Sequence, residues 1–192
     1  PKYPPVDVRA IAPAQPSLAV SGATATGLTV SWSVPRAADP AATATVTVDG
    51  REVATGQPEN GSTTATGLTP GADHTITVTL TNAAGTASAT ATAATLPQVS
   101  LTLADCTGKE AGYAAGCRTY SLTAQSWPAS LGSMTCTVAS DLTDPANPNR
   151  PLTAPAVTLT NASPVPSGIA VGYTTQGALD AHAAELVTCT GP

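Results

Sequence analysis

The sequence feature that most constrains the fold is a strict alternation of apolar residues and threonines within residues 68–85. A period of two places alternate side chains on opposite faces of an extended strand, and β-branched threonines favour extended backbone. Turn-forming residues flank the alternation, with Pro70-Gly71 before it and Asn82 after it. The segment therefore predicts a half-buried β-strand, and earlier residues are expected to supply strands that pack with it. The apolar positions are Ile76, Val78 and Leu80.

Residues at fixed spacing in this segment also resemble the LxPGxxYxxxVxAxNxxG signature of fibronectin type III domains. Upstream, the segment from Leu28 to Trp32 looks like the second strand of that family, with Trp32 as its core tryptophan. The resemblance covers about residues 13–97 and implies a seven-stranded sandwich that serves as a spacer or binding module, with no catalytic residues. The matching residues are Leu68, Pro70, Gly71, Val78, Asn82 and Gly85.

The sequence departs from this signature at two positions. Leu80 stands where the family usually has alanine, and His74 stands where it has tyrosine. The tyrosine hydroxyl of such a corner bonds back to the preceding backbone. An imidazole N–H can donate in its place, so His74 is expected to be a structural residue.

Composition favours short strands with a core of small side chains. The 192 residues are 42% hydrophobic but only 3% aromatic, and Phe is absent. With 18 Pro and 16 Gly, the chain is rich in turns. Seven basic residues are scattered singly and the net charge is −5, so we expect no nucleic-acid partner. No apolar run reaches the ~18 residues that cross a bilayer, and no signal peptide opens the chain. We therefore expect no membrane insertion within this sequence, and we take it to be a trimmed or mature fragment.

The pattern predicts two domains after an extended linker at residues 1–15. The first domain covers residues 16–97. It includes the two-residue hairpin signal Asp49-Gly50 and a last strand of almost only Ala and Thr. The second domain covers residues 98–192 and reads as further short strands, with a long loop at residues 141–155 and one candidate helix from Gly177 to Glu185. The predicted fold class is all-β, as two tandem β-sandwiches.

The second domain carries all four cysteines, which lack the close CxxC pairs of a zinc ribbon. Even number and wide spacing favour disulfides and an oxidising, extracytoplasmic compartment. Four cysteines allow three pairings. We expect Cys106–Cys117, which closes a Gly-rich loop, and Cys136–Cys189, which ties an inner strand to the last one. The cysteine order also resembles small disulfide-bonded immunoglobulin-like domains of bacterial envelope proteins, although the tryptophan expected between two such cysteines is absent.

The candidate partner-binding residues lie in the second domain. The loop from Thr107 to Gly116 carries Lys109, Glu110 and Tyr113, and a disulfide at its ends would lower the cost of ordering it on binding. Trp127 before Pro128 has two interpretations, an exposed aromatic that stacks on carbohydrate or a cap on the sandwich core. The second is favoured.

No constellation of catalytic or metal-ligating residues is found in the sequence. Asp180 and His182 are two positions apart, which is poor spacing for a shared helix face, and no serine has the context of a nucleophile elbow. Asp141 and Asp144 lack the spaced oxygen ligands of a calcium loop. Two segments match the glycosylation sequon, beginning at Asn60 and Asn161.

The function expected from the sequence is that of a non-catalytic extracytoplasmic spacer or recognition ectodomain, needing no cofactor. It would belong to a bacterial membrane-anchored signalling or envelope protein and bind an unidentified protein or polysaccharide. The alternative is an accessory carbohydrate-binding region of a secreted glycoside hydrolase.

Overall fold

The structure is a computed structural model that describes residues 10–38, 40–105, 118–138, 143–144, 147–151, 156–161, 167–169 and 187–192. The described residues form β-strands and no helix, so the all-β prediction is confirmed. The chain divides into two compact units. Unit 1 comprises Pro1–Gly22, Gly27–Leu68 and Asp73–Ala93, and unit 2 comprises Ala23–Thr26, Thr69–Ala72 and Ala94–Pro192.

Unit 1 contains seven strands in two antiparallel sheets. One sheet has the order β1-β2-β5 and the other the order β4-β3-β6-β7. The strands are β1 (Ser17–Ser21), β2 (Gly27–Ser33), β3 (Thr43–Val48), β4 (Arg51–Pro58), β5 (Gly61–Thr66), β6 (Asp73–Asn82) and β7 (Gly85–Ala94).

Alternate residues of both sheets fill the core of unit 1. From β2 these are Leu28, Val30 and Trp32, whose indole Nε1 donates to the Pro58 carbonyl at 3.0 Å. Because apolar side chains of two sheets are buried against each other, unit 1 is a sandwich. The seven-stranded architecture implied by the fibronectin type III resemblance is thus confirmed, with Trp32 in its core. The other members of this core are Ala44, Val46, Val48, Ala65, Ile76, Val78 and Leu80.

The hairpin predicted at Asp49-Gly50 joins β3 to β4. Both turn residues have positive φ, 52° for Asp49 and 78° for Gly50. Positive φ at both central residues defines the type I′ turn, whose twist matches that of the flanking strands. Asp tolerates this backbone conformation better than most residues do, and Gly adopts it freely.

Asn82, at the end of β6, holds three segments of unit 1 together. Its Nδ2 donates to the carbonyls of Ile11 and Pro40, both at 2.8 Å. Its Oδ1 accepts from the backbone N–H of Ala84 at 2.9 Å and of Gly85 at 3.2 Å. Two carbonyls on one side and two N–H groups on the other fix the orientation of the amide. This one side chain therefore joins the β6–β7 turn to the leading segment and to the loop before β3.

The described residues of unit 2 form eight strands. One sheet has the order β14-β9-β8, a second has the order β13-β10-β15, and β11 pairs with β12. The strands are β8 (Gln98–Asp105), β9 (Arg118–Gln125), β10 (Ser133–Val138), β11 (Thr143–Asp144), β12 (Asn147–Pro151), β13 (Val157–Thr160), β14 (Ser167–Ile169) and β15 (Val187–Thr190).

The core of unit 2 also takes side chains from two sheets. Leu101 and Leu122 come from the first sheet, and Met134 and Leu159 from the second. These residues form one buried cluster, so unit 2 is a second β-sandwich, as the sequence predicts.

Two predictions within unit 2 have other outcomes. The prediction of a long loop at residues 141–155 is wrong for its described residues, because β11 and β12 pair within it. Its Pro and Asn content suggested turns, yet Pro is compatible with an unpaired edge or a strand end. The candidate helix from Gly177 to Glu185 lies outside the described residues.

The segment that follows β7 is bound by backbone within unit 2. The Thr95 side chain is fully buried, and its Oγ1 donates to the Thr69 carbonyl at 2.6 Å. Gly71 N–H donates to the Leu96 carbonyl at 3.0 Å, and Leu96 N–H donates to the Thr24 carbonyl at 2.9 Å. Buried polar groups require such partners. The domain boundary that the sequence places at Leu96-Pro97 stays a prediction.

Candidate binding surfaces

The loop singled out from the sequence, Thr107 to Gly116, lies outside the described residues. Its proposed contact residues Lys109, Glu110 and Tyr113 therefore stay predictions. The same holds for the pairing of Cys106 with Cys117, which bound that loop.

The other predicted disulfide is confirmed, because Cys136 and Cys189 are bonded to each other. The two residues lie directly opposite in the antiparallel pairing of β10 with β15. Cys136 is fully buried in the core of unit 2, and Cys189 is half-buried beside it. The bond thus joins neighbouring strands of one sheet. In this it differs from immunoglobulin domains, where the disulfide connects the two sheets.

Trp127 is half-buried and packs against the core cluster of unit 2. Its indole Nε1 donates to the carbonyl of Leu131, which closes the short turn after β9. A tryptophan with its ring on the core and its N–H bonded to backbone is held in place by the fold. This arrangement favours the core-capping interpretation of Trp127.

His74 and Asp49 form a polar pair in unit 1, in which a buried imidazole meets an exposed carboxylate. The His74 side chain is 4% exposed and that of Asp49 is 51% exposed, with Nδ1 of His74 2.6 Å from Oδ2 of Asp49. Oδ1 of Asp49 accepts from the N–H of Thr75 at 2.8 Å, and the Asp49 N–H donates to the Thr75 carbonyl at 2.8 Å. The hydrogen bond from His74 and the one from Thr75 lower the pKa of Asp49 below its ordinary 3.8.

The pair joins the β3–β4 turn to β6, and its residues are 25 positions apart in the chain. Sequence comparison predicted that His74 takes the place of a tyrosine, but it did not single out Asp49 as a partner. Both groups are used by the fold, since their hydrogen bonds connect the β3–β4 turn to β6. The geometry assigns them a structural role.

The outer face of the sheet β4-β3-β6-β7 is lined by hydroxyl groups, which the sequence did not single out as a site. We call it the hydroxyl face. Neighbouring strands exchange hydrogen bonds across it, between Thr45 and Thr55 at 3.2 Å and between Thr77 and Thr90 at 3.1 Å. Its members are Thr43, Thr45, Thr47, Thr55, Thr75, Thr77, Thr79, Thr81, Thr86, Ser88, Thr90 and Thr92.

The hydroxyl face follows from the alternation of threonines with apolar residues in β6. Ile76, Val78 and Leu80 are buried, and the threonines between them must point the other way. Strands lie about 4.8 Å apart and alternate residues about 6.7 Å apart along a strand, so the hydroxyls form a regular array. Within these four described strands, charged side chains stand only at the end near the β3–β4 turn, on Arg51, Glu52 and Asp73. The face is therefore polar and almost uncharged.

Comparisons with known proteins give similarities of fold. No protein-family model matches the chain, and a search of curated proteins found no match. Among solved structures, the central fibronectin-III array of RIM-binding protein is 19% identical over 78% of this chain and 52% of that one, with a TM-score of 0.37. A two-domain fibronectin type III segment from chicken tenascin is 17% identical over 80% of this chain and 81% of that one, with a TM-score of 0.35.

Chitinase ChiA74 from Bacillus thuringiensis is 11% identical over 88% of this chain and 28% of that one, with a TM-score of 0.38. The chain spans about half of the RIM-binding protein array, 52% of its length. At these identities and TM-scores the likenesses carry no argument about activity or partners. The fibronectin type III-like fold of unit 1 rests on its own strand order and core.

Two absences hold for the described part of the chain. No group of three or more His, Cys, Asp or Glu side chains there could hold a metal ion. No helix there has the length and apolar character needed to cross a membrane.

Proposed function

We propose that the chain is a non-catalytic module of an extracytoplasmic protein, acting as a spacer or recognition ectodomain. The observation that carries the proposal is the combination of two β-sandwiches with a disulfide in the core of the second, Cys136–Cys189. Disulfides persist in oxidising compartments, and rigid sandwiches of this kind present loops to partners. The polar pair Asp49–His74 supports the non-catalytic assignment, because its hydrogen bonds connect the β3–β4 turn to β6 of the scaffold.

The finer part of the proposal is the setting and the partner. We assign the chain to the envelope or to a membrane-anchored signalling protein of a bacterium, with a protein or polysaccharide as ligand. The loop from Thr107 to Gly116 is the proposed contact region, with Tyr113 as its anchor. The accessory carbohydrate-binding alternative gains no support from the tryptophans, since Trp32 and Trp127 both pack on cores.

Differential thiol labelling of the native protein in its source cells tests the compartment. Intact cells are treated with an alkylating reagent before and after reduction, and the modified peptides are mapped by mass spectrometry. We expect Cys136 and Cys189 to be labelled only after reduction. Labelling of both thiols without reduction would place the chain in a reducing compartment and overturn the assignment.

A binding assay tests the recognition role. The oxidised chain is incubated with defined insoluble polysaccharides and with purified surface proteins, and depletion from solution and release of soluble sugars are both measured. Recognition by the loop is supported if one ligand depletes the chain from solution and Tyr113→Ala weakens its binding to that ligand by more than about fivefold. A loss of this size is expected of a residue that contributes strongly to binding. Absence of depletion supports the spacer role. Sugar release catalysed by the pure chain would refute the non-catalytic assignment.

A further inference from the structure

The two edges of the sheet β4-β3-β6-β7 are built differently. At one edge, β4 carries the charged residues Arg51 and Glu52, ends in Pro58, and has register shifts against β3. Charge, proline and bulges are the devices that keep an edge strand from pairing with another chain. At the other edge, β7 has neither a charged residue nor a proline, because its ten residues are only Gly, Thr, Ala and Ser.

Within the part of the chain that the structure describes, the outer side of β7 has no partner strand over most of its length. Ala12 lies against its first residue, since a Cβ built on Gly85 would be 3.6 Å from that of Ala12. Beyond this point, no strand among the described residues pairs with the outer side of β7. In an antiparallel strand, every second residue directs both its N–H and its C=O away from the neighbour. The stretch from Ala87 to Ala93 therefore presents a row of backbone donors and acceptors.

The chemistry of this row defines what can bind it. Backbone N–H and C=O groups at strand spacing are matched by the backbone of another extended strand. Peptide-binding edges that select a sequence have pockets for alternate side chains. The side chains of β7 alternate between exposed hydroxyls and half-buried alanines, which leaves no large pocket along the strand. The edge therefore favours a partner strand with equally small side chains.

A second copy of β7 meets this requirement. Two antiparallel β7 strands related by a two-fold axis present identical surfaces to each other, which is the geometry of an isologous dimer. We propose that β7 is a self-association edge, at which two copies of the chain pair their β7 strands and join two four-stranded sheets into one. The proposal is independent of whether the chain acts as a spacer or as a recognition module.

The size of the edge sets the strength of this association. Seven residues extend about 23 Å at strand rise. Pairing along a single strand of this length buries less than the roughly 1,600 Å² of a standard interface. The dimer is therefore reversible in solution and concentration-dependent. Copies held close together on one surface pair far more readily, because their effective concentration is high.

Sedimentation velocity of the full chain over a wide concentration range tests the proposal. Ser88→Lys places a cation on the exposed side of β7, which is the natural means of blocking an edge. Thr43→Lys is the matched control, since it adds the same charge to an exposed position of the same face, two strands from the edge. We expect the wild type and Thr43→Lys to approach twice the monomer mass, and Ser88→Lys to associate at least tenfold more weakly.

Three results would overturn the proposal. They are a wild type that stays monomeric throughout, a Ser88→Lys chain that associates like the wild type, and equal loss of association in both variants, which would assign the contact to the hydroxyl face. Hydrogen exchange of the wild type gives a reading that needs no substitution. Amides between Ala87 and Ala93 that point outward are expected to exchange more slowly as concentration rises, and concentration-independent exchange would contradict edge pairing.

Discussion

Replacing Asn82 by Asp changes one atom and tests how the parts of unit 1 are joined. Asp keeps the oxygen that accepts from Ala84 and Gly85 but puts a second oxygen where Nδ2 donates to the carbonyls of Ile11 and Pro40, each at 2.8 Å. Two hydrogen bonds are lost, at about 1 kcal/mol each, and a carboxylate then faces two carbonyl oxygens. We expect the free energy of unfolding of unit 1 to fall by about 2–4 kcal/mol in total.

Urea denaturation at pH 7 measures this loss, with Asn60→Asp as the control. Oδ1 of Asn60 accepts from Val34 N–H at 2.7 Å, and among the described residues its Nδ2 has no partner. Asn60→Asp is therefore expected to change stability by less than about 0.5 kcal/mol, as surface changes usually do. Below about pH 4 the carboxyl group introduced by Asn82→Asp becomes protonated and can donate one hydrogen bond, so the gap to wild type should narrow. Equal losses in the two variants would refute the role assigned to Asn82.

Three further predictions concern backbone, disulfide and charge. Replacing both Cys136 and Cys189 by Ala removes a link between residues 53 positions apart, which should lower the free energy of unfolding of unit 2 by about 4 kcal/mol in the chain-entropy description. A loss below about 1 kcal/mol, measured by urea denaturation, would contradict this. Gly71→Ala should lower the free energy of unfolding by more than about 3 kcal/mol, because φ is +61° and the new Cβ would lie 1.6 Å from a backbone oxygen. The control Gly67→Ala, with φ of +70° and open space around the new Cβ, should lower it by only about 1–2 kcal/mol. Similar shifts in melting temperature for the two variants would contradict the prediction. Because the pKa of Asp49 is lowered, its carboxylate stabilises the folded state above pH 3.8, and this contribution is lost as pH falls through the lowered pKa. The melting temperature of Asp49→Asn should therefore depend less on pH below 3.8 than that of wild type. Parallel plots of melting temperature against pH for the two proteins would contradict this.

The features predicted from the sequence are those that a short local pattern of residues determines. The alternation in β6 and the Asp49-Gly50 turn each specify their own backbone, and both are found in the structure. The pairing of Cys136 with Cys189 followed from placing one cysteine in an inner strand and the other in the last. Strand assignment was less secure where Pro and Asn dominate, as in β11 and β12, whose pairing depends on tertiary contacts.

Features that depend on which segments become neighbours could not be predicted. Asp49 and His74 are 25 positions apart in the sequence, and no local pattern around either residue indicates that the other is its partner. The hydroxyl face arises from four strands, of which only β3 and β6 alternate threonines with buried apolar residues. The open edge at β7 depends on the order of strands in the sheet, and an Ala/Thr segment reads the same at an edge or in the middle.

The disulfide between neighbouring strands of unit 2 has a mechanical consequence. If the chain carries tension between its ends, force passes from Cys136 to Cys189 through the bond, and the intervening backbone bears none of it. The bond spans 53 positions, so at about 3.4 Å per residue it withholds about 180 Å of extensible length. A reducing agent would release that length, so a single reduced molecule under load would lengthen by about 180 Å more than the oxidised molecule when unit 2 unfolds.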